Sequence, residues 1–316
     1  MIVTDPLVAT AALADGHLCA IPTETVYGLG ANASNASAVA QVFEAKGRPT
    51  DHPLIVHVAS LEQARQWITE LPTWANELAK QCWPGPLTLV GPRTALATDD
   101  ITGGQDTVAV RVPNHPLTLT VLEQLAAQGV HGVVAPSANK FGHVSPTTAQ
   151  HVDNDLGAYL DSHQGVILDG GPSGVGVEST IVLATGQAPV VLRPGGITRK
   201  MITEITGLEV KESIADAPRV SGALSSHYSP SATVHLVDQS ALTAVPSGGL
   251  IAFKEVATPA GLTRLSEPRT IDDFAATLYA SLRKADELGL ADIYVVEPTD
   301  EGLAEAIRDR LSRAAF

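Results

Sequence analysis

The chain has 316 residues, a length that gives room for two domains, each able to bury a hydrophobic core. Hydrophobic residues make up 44% of it and charged residues only 17%, which indicates a compact globular protein and excludes a disordered one. The formal net charge of -14 also argues against a broad basic face that wraps nucleic acid.

The chain contains two cysteines, Cys19 and Cys82, and their spacing is not that of metal ligands. Because two thiols cannot build a disulfide framework, we interpret both as small buried hydrophobic side chains. The amino terminus lacks a basic stretch followed by an apolar run, and no apolar segment reaches about 18 residues. We therefore expect a cytoplasmic protein without a membrane partner.

The first informative pattern is a buried strand followed by a polar turn. The apolar run Leu18–Ile21 predicts the strand. The turn after it carries hydroxyl and carboxylate side chains, namely Thr23, Glu24, Thr25 and Tyr27.

A capped helix is predicted to follow this turn. Ser34 or Asn35 can cap its beginning, and Gly47 supplies the stop after Lys46. Lys46 and Arg48 are then left at a helix end beside the hydroxyl groups of the turn. Two cations next to hydroxyl groups indicate an anion site, and phosphate is the anion we expect there.

From the amino terminus to about residue 208, strand-like apolar runs alternate irregularly with capped helices. This pattern predicts an α/β fold, but the order of the strands in the sheet cannot be derived from the sequence. The predicted strands are Leu54–Val58, Val108–Val112, Gly132–Ala135, Val166–Leu168, Ile181–Leu183 and Val190–Leu192. The predicted helices are Pro116–Ala127 and Pro146–Leu156, the latter with Ser145 as its cap.

The pattern changes after Gly207. Residues 209–232 contain alternating charges, small residues and the string SSHYSP at Ser225–Pro230, which is typical of a linker. Beyond it, strands and helices alternate again and predict a small parallel α/β domain over residues 233–316. Its predicted strands are Val234–Val237, Leu250–Phe253 and Ile293–Val296, and its helices carry Phe274, Leu278 and Leu282, and then Leu303, Ile307 and Leu311.

Two glycine-rich strings do not qualify as nucleotide-binding loops. The string at Gly28–Ala33 follows a long polar turn, and the string at Gly170–Gly176 lacks the Lys-Ser/Thr ending of a P-loop. An ATP site here would therefore depend on side-chain cations, and we expect these to be exposed Lys46, Arg48 and Arg193. As exposed cations they would add little to stability.

Polar side chains at strand and helix ends are further candidates. Ser137 and Asn139 follow an apolar run, where hydroxyl and amide groups suit phosphate or ribose contacts. Ser145 opens a predicted helix whose free N–H groups favour an anion, although a helix cap explains it equally well. Ser179 follows a glycine-rich loop and is a further candidate for ligand binding. The alternative interpretation is that it is an ordinary strand residue.

Arg111 and His57 each interrupt an apolar strand. Arg111 needs a carboxylate partner, which could be a protein Asp or the carboxylate of a substrate. His57 on its own is more often a hydrogen-bonded core residue than a catalytic one.

The motifs of the chain resemble those of the YrdC/Sua5 family, the threonylcarbamoyl-AMP synthases. The resemblance covers residues 5–208, and SSHYSP extends it to the longer Sua5-type architecture. It is carried by IPTETVYGLGANA (Ile21–Ala33), FEAKGRP (Phe43–Pro49), PLIVHV (Pro53–Val58), WPGPLTLV (Trp83–Val90), VAVRVPNHP (Val108–Pro116), APSAN (Ala135–Asn139), SPTTAQHV (Ser145–Val152), LDGGPSGVGVESTIV (Leu168–Val182) and LRPGGIT (Leu192–Thr198).

The resemblance implies a fold and a reaction. The fold is a YrdC-like twisted open sheet around a large concave cavity over residues 1–208, a linker or lid over 209–232, and a smaller Rossmann-like domain over 233–316. The reaction joins L-threonine, bicarbonate or CO2, and ATP into L-threonylcarbamoyl-AMP, with release of pyrophosphate. A separate transferase complex would then use the product to make threonylcarbamoyladenosine at position 37 of ANN-decoding tRNAs, and weak direct tRNA contact stays open.

The resemblance also implies roles for individual residues. Threonine would be bound by Thr25, His57, Arg111, Ala135 and Ser179. ATP would be bound by Arg48, His52, Thr107, Ser137, Asn139, Ser145, Arg193 and Tyr228, and Lys46, Arg48 and Arg193 would support catalysis. His52 departs from the asparagine that the family more often shows, but histidine can still donate a hydrogen bond. Mg2+ is expected with ATP, held by phosphates and water and not by a protein metal site.

Two alternatives come from other classes of protein. A nonenzymatic RNA-binding module of the same fold would show a salt-dependent RNA complex without ATP consumption, and the acidic composition disfavours it. A carbamoyl-adenylate-forming domain of hydrogenase-maturation type would carry acylphosphatase and zinc-finger regions, and this chain has no zinc-type cysteine pairs.

Overall fold

The computed structural model describes residues 1–211, 216–222, 228–299 and 301–316. Of the SSHYSP segment, residues 228–230 are therefore described, and Ser225, Ser226 and His227 lie outside the described residues.

The described residues form two β-sheets. The first contains β1 (Ile2–Val3), β2 (Cys19–Ile21), β3 (Gly28–Asn32), β4 (Ile55–His57), β5 (Leu87–Pro92), β6 (Thr107–Arg111), β7 (Val133–Val134), β8 (Val166–Leu168), β9 (Thr180–Leu183) and β10 (Val190–Arg193). The second contains β11 (Thr233–Leu236), β12 (Gly248–Ile251), β13 (Leu262–Ser266) and β14 (Asp292–Val295).

Helices cover both sheets. The helices that accompany the first sheet are α1 (Pro6–Ala14), α2 (Ala36–Lys46), α3 (Leu61–Ala64), α4 (Thr73–Cys82), α5 (Asp99–Thr102), α6 (Pro116–Ala127), α7 (Ala149–Ser162) and α8 (Arg199–Thr206). A 3-10 helix (Gln239–Ala244), α9 (Ile271–Glu287) and α10 (Leu303–Ala314) accompany the second. We call the unit around the first sheet, residues 1–207, the first domain, and residues 233–316 the second domain.

The first sheet is mixed, with the strand order β1-β8-β2-β3-β7-β4-β6-β5-β9-β10. The strands β4 and β6 run parallel near its middle, and their register places His57 opposite Arg111. Both residues are the last of their strands, so both lie at the carboxyl ends, where α/β sheets usually bind ligands.

The second sheet is entirely parallel in its described pairs, with the order β11-β14-β12-β13. This confirms the predicted parallel α/β unit, although β13 was not predicted. The two domains share a hydrophobic cluster in which Val26, Val144 and Val177 of the first domain pack with Phe274 and Leu278 of the second. The second domain is therefore packed firmly against the first.

Local signals located most elements well. The helix α6 has the predicted bounds, and Asn35 caps α2, which ends at Gly47 in the left-handed conformation. The helix predicted at Pro146–Leu156 is wrong at its start, because α7 begins at Ala149 and the side chain of Thr148 accepts the capping hydrogen bond.

Candidate active site

A cavity of ≈ 470 Å³ lies at the carboxyl ends of β4 and β6. All five residues predicted to bind threonine line it, and so do three predicted to bind ATP. The former are Thr25, His57, Arg111, Ala135 and Ser179, and the latter are Ser137, Arg193 and Tyr228. Segments far apart in the chain thus meet in one concave site, although its lining does not by itself assign the roles.

Arg111 is buried in the cavity wall and pairs with Glu24 of the polar turn. The Arg111 Nη2 lies 2.7 Å from the Glu24 Oε1, and its Nη1 donates to the Thr25 hydroxyl at 2.9 Å. The carboxylate partner predicted for Arg111 is therefore Glu24, and not an Asp or the carboxylate of a substrate alone. A substrate carboxylate would have to share Arg111 with Glu24.

His57 lies beside this pair and is held neutral. Burial first, and then the charge of Arg111, lowers the pKa of His57 to about 3. The ring Nδ1 lies 3.2 Å from the carbonyl oxygen of Ile55. At neutral pH, His57 therefore adds no positive charge to the cavity.

Ser179, directly before β9, and Arg193, the last residue of β10, also line the cavity. The guanidinium of Arg193 donates to the carbonyl oxygen of Ser179 at 2.9 Å and to its hydroxyl at 3.2 Å. It also donates to the carbonyl of Ser221 in the linker at 2.9 Å. Among the described residues, no carboxylate lies within ion-pair distance of Arg193. Its positive charge is therefore not neutralised by direct contact.

Lys46 is not part of the cavity lining. It is buried, and its ammonium donates to the carbonyl oxygens of Ser137 and Asn139 at 2.5 and 2.6 Å. Burial, together with the nearby Arg48, lowers the pKa of Lys46 well below its usual value. Lys46 thus fixes the loop that presents Ser137 to the cavity.

Arg48 lies behind the cavity as well. One Nη donates to the carbonyl of Pro53 at 2.9 Å, and the guanidinium packs over the ring of Phe141. Burial lowers the pKa of Arg48 to about 10, and its buried Nε has no hydrogen-bond partner among the described residues. The expectation of exposed cations is wrong, because Lys46, Arg48 and Arg193 are each less than 10% exposed.

Thr107 and His52 lie outside the lining of this cavity. Thr107 lines a second, smaller cavity of ≈ 270 Å³ that shares Ile55 and Ser221 with the first. His52 contacts the edge of Phe141, and burial lowers its pKa. The two cavities form adjoining compartments, one of which contains the threonine candidates.

Asn139 and Ser145 are buried and lie outside the cavity lining. The Asn139 amide donates to two backbone carbonyls, and its Oδ1 has no hydrogen-bond partner in the described part of the chain. Ser145 does not cap a helix, since its hydroxyl donates to Glu178 at 2.7 Å. The predicted helix N-terminus at Ser145 is therefore absent, because Thr148 takes the capping role three residues later.

Sequence reasoning missed Glu178, which lines the cavity and is reached from the second domain. Its Oε2 accepts from the Tyr279 hydroxyl at 2.8 Å and from the Arg310 Nε at 2.7 Å. Burial would raise the pKa of Glu178, but Arg310 and then Arg193 lower it to about 2. A lone carboxylate inside the motif GVGVEST was the available signal, whereas nothing in the helix around Arg310 marked that arginine.

Neither cysteine lines the cavity. Cys19 and Cys82 are buried, which agrees with their interpretation as small hydrophobic side chains. Within the described ranges, no three His, Cys, Asp or Glu side chains are grouped as metal ligands. No helix in the described part of the chain is both long and apolar enough to cross a bilayer.

Comparison with known families resolves the identity of both domains. Residues 11–195 match the Sua5_yciO_yrdC family model, whose description is "Telomere recombination". Residues 197–316 match the model of the threonylcarbamoyl-AMP synthase C-terminal domain. The chain belongs to the Sua5/YrdC family. A second domain of the synthase type separates it from the hydrogenase-maturation alternative.

Similar proteins and structures agree over almost the whole chain. Threonylcarbamoyl-AMP synthases of Pyrococcus abyssi and Bacillus subtilis are each 38% identical, with 98% of this chain and 93% of the relative covered. A crystal structure of P. abyssi Sua5 complexed with L-threonine is 36% identical and superposes with a TM-score of 0.89, covering 100% of this chain and 97% of that chain. These matches confirm the predicted family, fold class and class of enzyme.

Proposed function

We propose that this Sua5/YrdC family member catalyses the synthesis of L-threonylcarbamoyl-AMP. L-Threonine, bicarbonate and ATP would yield L-threonylcarbamoyl-AMP, pyrophosphate and water. The observation that carries the proposal is the meeting of all five threonine candidates in one cavity that Arg193 also lines. Relatives that match both domains are named for this activity, and one of them is a structure with L-threonine.

The compartment around Arg111 suits the amino acid. The guanidinium can contact a substrate carboxylate while Glu24 and Thr25 hold its orientation. The Glu24 carboxylate, which pairs with Arg111 and accepts from the Asn114 backbone N–H, fixes the guanidinium from behind the cavity lining. The hydroxyls of Thr25 and Ser179 are among the hydrogen-bonding groups that line the cavity and could contact the threonine side chain.

The amine must lose a proton before it attacks bicarbonate or CO2. Because His57 is neutral, it adds no positive charge next to Arg111, and a neutral amine can lie against its ring. Nitrogen attack forms the carbamate, with loss of water when bicarbonate is the carbon source. A carbamate oxygen then attacks the α-phosphorus, and pyrophosphate leaves. No covalent enzyme intermediate is needed, so positioning and charge stabilisation supply the catalysis.

Arg193 is the cation that the cavity offers to the triphosphate. Its guanidinium is fixed by Ser179 on one side and by the linker at Ser221 on the other, so its charge is preorganised. Lys46 and Arg48 would act from behind the cavity wall through the field of their charges and through the loop that they hold. The Arg48 Nε and Asn139 Oδ1 have no hydrogen-bond partner among the described residues, and a bound nucleotide could satisfy them.

Mg2+ fits this arrangement as a companion of ATP. The only carboxylate in the described lining of the cavity is Glu178, and Ser145, Tyr279 and Arg310 already occupy both of its oxygens. The metal would therefore be held by phosphate oxygens and water, and it would help neutralise the triphosphate.

The linker contributes a cover for the cavity. Ser221, Gly222 and Tyr228 all line it, and a Cβ on Gly222 would lie 2.3 Å from the Tyr228 hydroxyl. A close cover protects a carbamate and a mixed anhydride from water. We expect protease cleavage within the linker, residues 209–232, to slow when ATP and threonine are added together. The product would pass to a separate transferase that modifies tRNA.

The decisive experiment measures pyrophosphate release with each of the twenty amino acids, with and without bicarbonate. We expect release that needs both threonine and bicarbonate, followed by detection of the threonylcarbamoyl adenylate by mass spectrometry. Release that is independent of the amino acid would contradict the proposal. A salt-dependent RNA complex without ATP consumption would also contradict it and would favour the RNA-binding alternative.

A further inference from the structure

Glu178 connects the cavity to the second domain through a buried polar network. The carboxylate follows the glycine-rich loop before β9 and lines the cavity. Tyr279 of α9 and Arg310 of α10 both bind its Oε2, and Ser145 binds its Oε1. All four side chains are less than 10% exposed, so the network has little access to water.

A buried carboxylate must be paired, and two arginines are within its electrostatic reach. Arg310 contacts Glu178 directly, whereas Arg193 influences it from farther away without an ion pair. If Arg310 were absent, Arg193 would be the nearest cation able to compensate the buried charge. The guanidinium that the cavity needs would then be drawn toward Glu178.

Arg310 also fixes the backbone next to Arg193. Its Nη2 donates to the carbonyl oxygen of Pro194 at 2.9 Å, and Pro194 directly follows Arg193 at the end of β10. The turn there is tight, because a Cβ on Gly195 would lie 2.4 Å from the Glu178 carbonyl oxygen. One side chain of the second domain therefore holds both the carboxylate and the backbone that carries Arg193.

Arg310 and Tyr279 also support Tyr228, the aromatic residue of the linker that lines the cavity. The Arg310 guanidinium lies 5.3 Å from the centre of the Tyr228 ring, and the rings of Tyr228 and Tyr279 stack at 5.6 Å. Cation–π and stacking contacts of this kind hold an aromatic ring in place. The linker tyrosine therefore rests on the residues that bind Glu178.

We propose that Arg310 and Tyr279 are positioning residues of the active site, which neutralise and hold Glu178 and so leave Arg193 available to the triphosphate. The second domain thereby completes the nucleotide half of the site without touching the substrates. This inference rests on the proposed function for its ligand, ATP, but its test does not require turnover.

The test measures equilibrium binding of ATP by calorimetry, in the absence of threonine and bicarbonate. Arg310→Met should weaken ATP binding at least about tenfold, because Arg193 turns to Glu178. Adding Glu178→Gln to that variant should restore the affinity to within about threefold of wild type, since the competing charge is then gone. Tyr279→Phe should weaken binding less, by about threefold.

Arg199→Met is the matched control, because Arg199 also bridges the domains, to Glu305 at 2.9 Å, but at a half-exposed site away from the cavity. It should change ATP affinity less than about twofold. A folded Arg310→Met with wild-type affinity would overturn the inference, and so would a double variant as weak as the single one.

If Arg310→Met does not fold, Tyr279→Phe decides the question. A weaker ATP complex supports the inference, and an unchanged one contradicts it. Failure of the proposed function would appear separately, as wild-type protein that binds ATP but releases no pyrophosphate with threonine and bicarbonate.

Discussion

Two buried arginine–carboxylate pairs border the same cavity and differ in origin. Arg111 and Glu24 both belong to the first domain, and their side chains are 5% and 11% exposed. Arg310 and Glu178 come from different domains, and their side chains are 0% and 8% exposed. The first pair faces the amino-acid compartment, while the second is sealed by Tyr279 and Ser145.

The difference in access means that Arg111 can bind a substrate carboxylate in addition to Glu24, whereas Arg310 cannot bind a substrate group. A substrate carboxylate can approach Arg111 because the guanidinium lines the cavity. Arg310 is not part of the lining, and its remaining donors are used by Pro194 and Asp309. We therefore assign recognition to the first pair and positioning to the second, and five measurements can break or sharpen that assignment.

The largest effect is expected on stability, from Glu178→Gln. The change removes the carboxylate that faces the buried guanidinium of Arg310 on the cavity side. Because a buried charge then loses its partner there, the free energy of unfolding should fall by about 3–5 kcal/mol. Urea denaturation measures it. Glu24→Gln is the matched change in the other pair and should cost less, since Arg111 borders the cavity. Equal costs would remove the distinction between the two pairs.

The next effect concerns Arg193, which lines the cavity. Arg193→Ala should reduce the turnover number roughly 100-fold, because a preorganised charge at the reacting phosphate is lost. Steady-state pyrophosphate release measures the loss, with Arg65→Ala as an exposed arginine control. A folded Arg193→Ala protein with normal turnover would place the triphosphate elsewhere.

Arg111→Ala tests recognition by the first pair. Loss of a hydrogen bond to a charged group costs on the order of 1.5–3 kcal/mol, so the KM for threonine should rise at least about tenfold. The KM for ATP should stay within about twofold, in contrast to the effect expected for the second pair. An unchanged threonine KM in the folded variant argues against this assignment.

Lys46→Met tests whether a buried cation behind the wall is structural. Because its ammonium holds two backbone carbonyls, the variant should lose about 1–3 kcal/mol of stability, contrary to what an exposed phosphate ligand would do. Thermal and urea unfolding measure the loss, with Lys80→Met on an exposed helix face as control. Wild-type stability with weakened ATP binding would make Lys46 a direct ligand instead.

The smallest effect is the pH dependence that His57 adds beside the first pair. Its pKa is about 3 in the folded protein and about 6.5 when unfolded, so the unfolded chain binds the proton first as the pH falls. Its contribution is therefore present above pH 6.5 and is lost on acidification. Between pH 7 and 6 the loss should be about 0.7 kcal/mol. His57→Gln should flatten the urea-derived stability curve by that amount, whereas an unchanged curve would mean that His57 titrates normally.

The sequence by itself determined the local elements and much of the first pair's compartment. The helix Pro116–Ala127 and the strand Val166–Leu168 have their predicted bounds. The signals that predict such bounds, a capping residue, a proline at the helix start and the spacing of apolar side chains, all lie within a short stretch of neighbouring residues. Arg111 and His57 were visible as polar interruptions of apolar strands. The family motifs added Thr25, Ala135 and Ser179, which the fold brings to the same cavity.

Only the tertiary structure decided which partners those side chains have. The order of the first sheet places β4 beside β6 although the strands are about 50 residues apart, and so aligns His57 with Arg111. Burial changed the interpretation of Lys46 from a phosphate ligand to a loop anchor. Arg310 meets Glu178 across 132 residues of sequence, and such a contact leaves no local pattern because it depends on how two domains pack. Local sequence specifies caps and periods, whereas long-range packing decides the charge balance of the site.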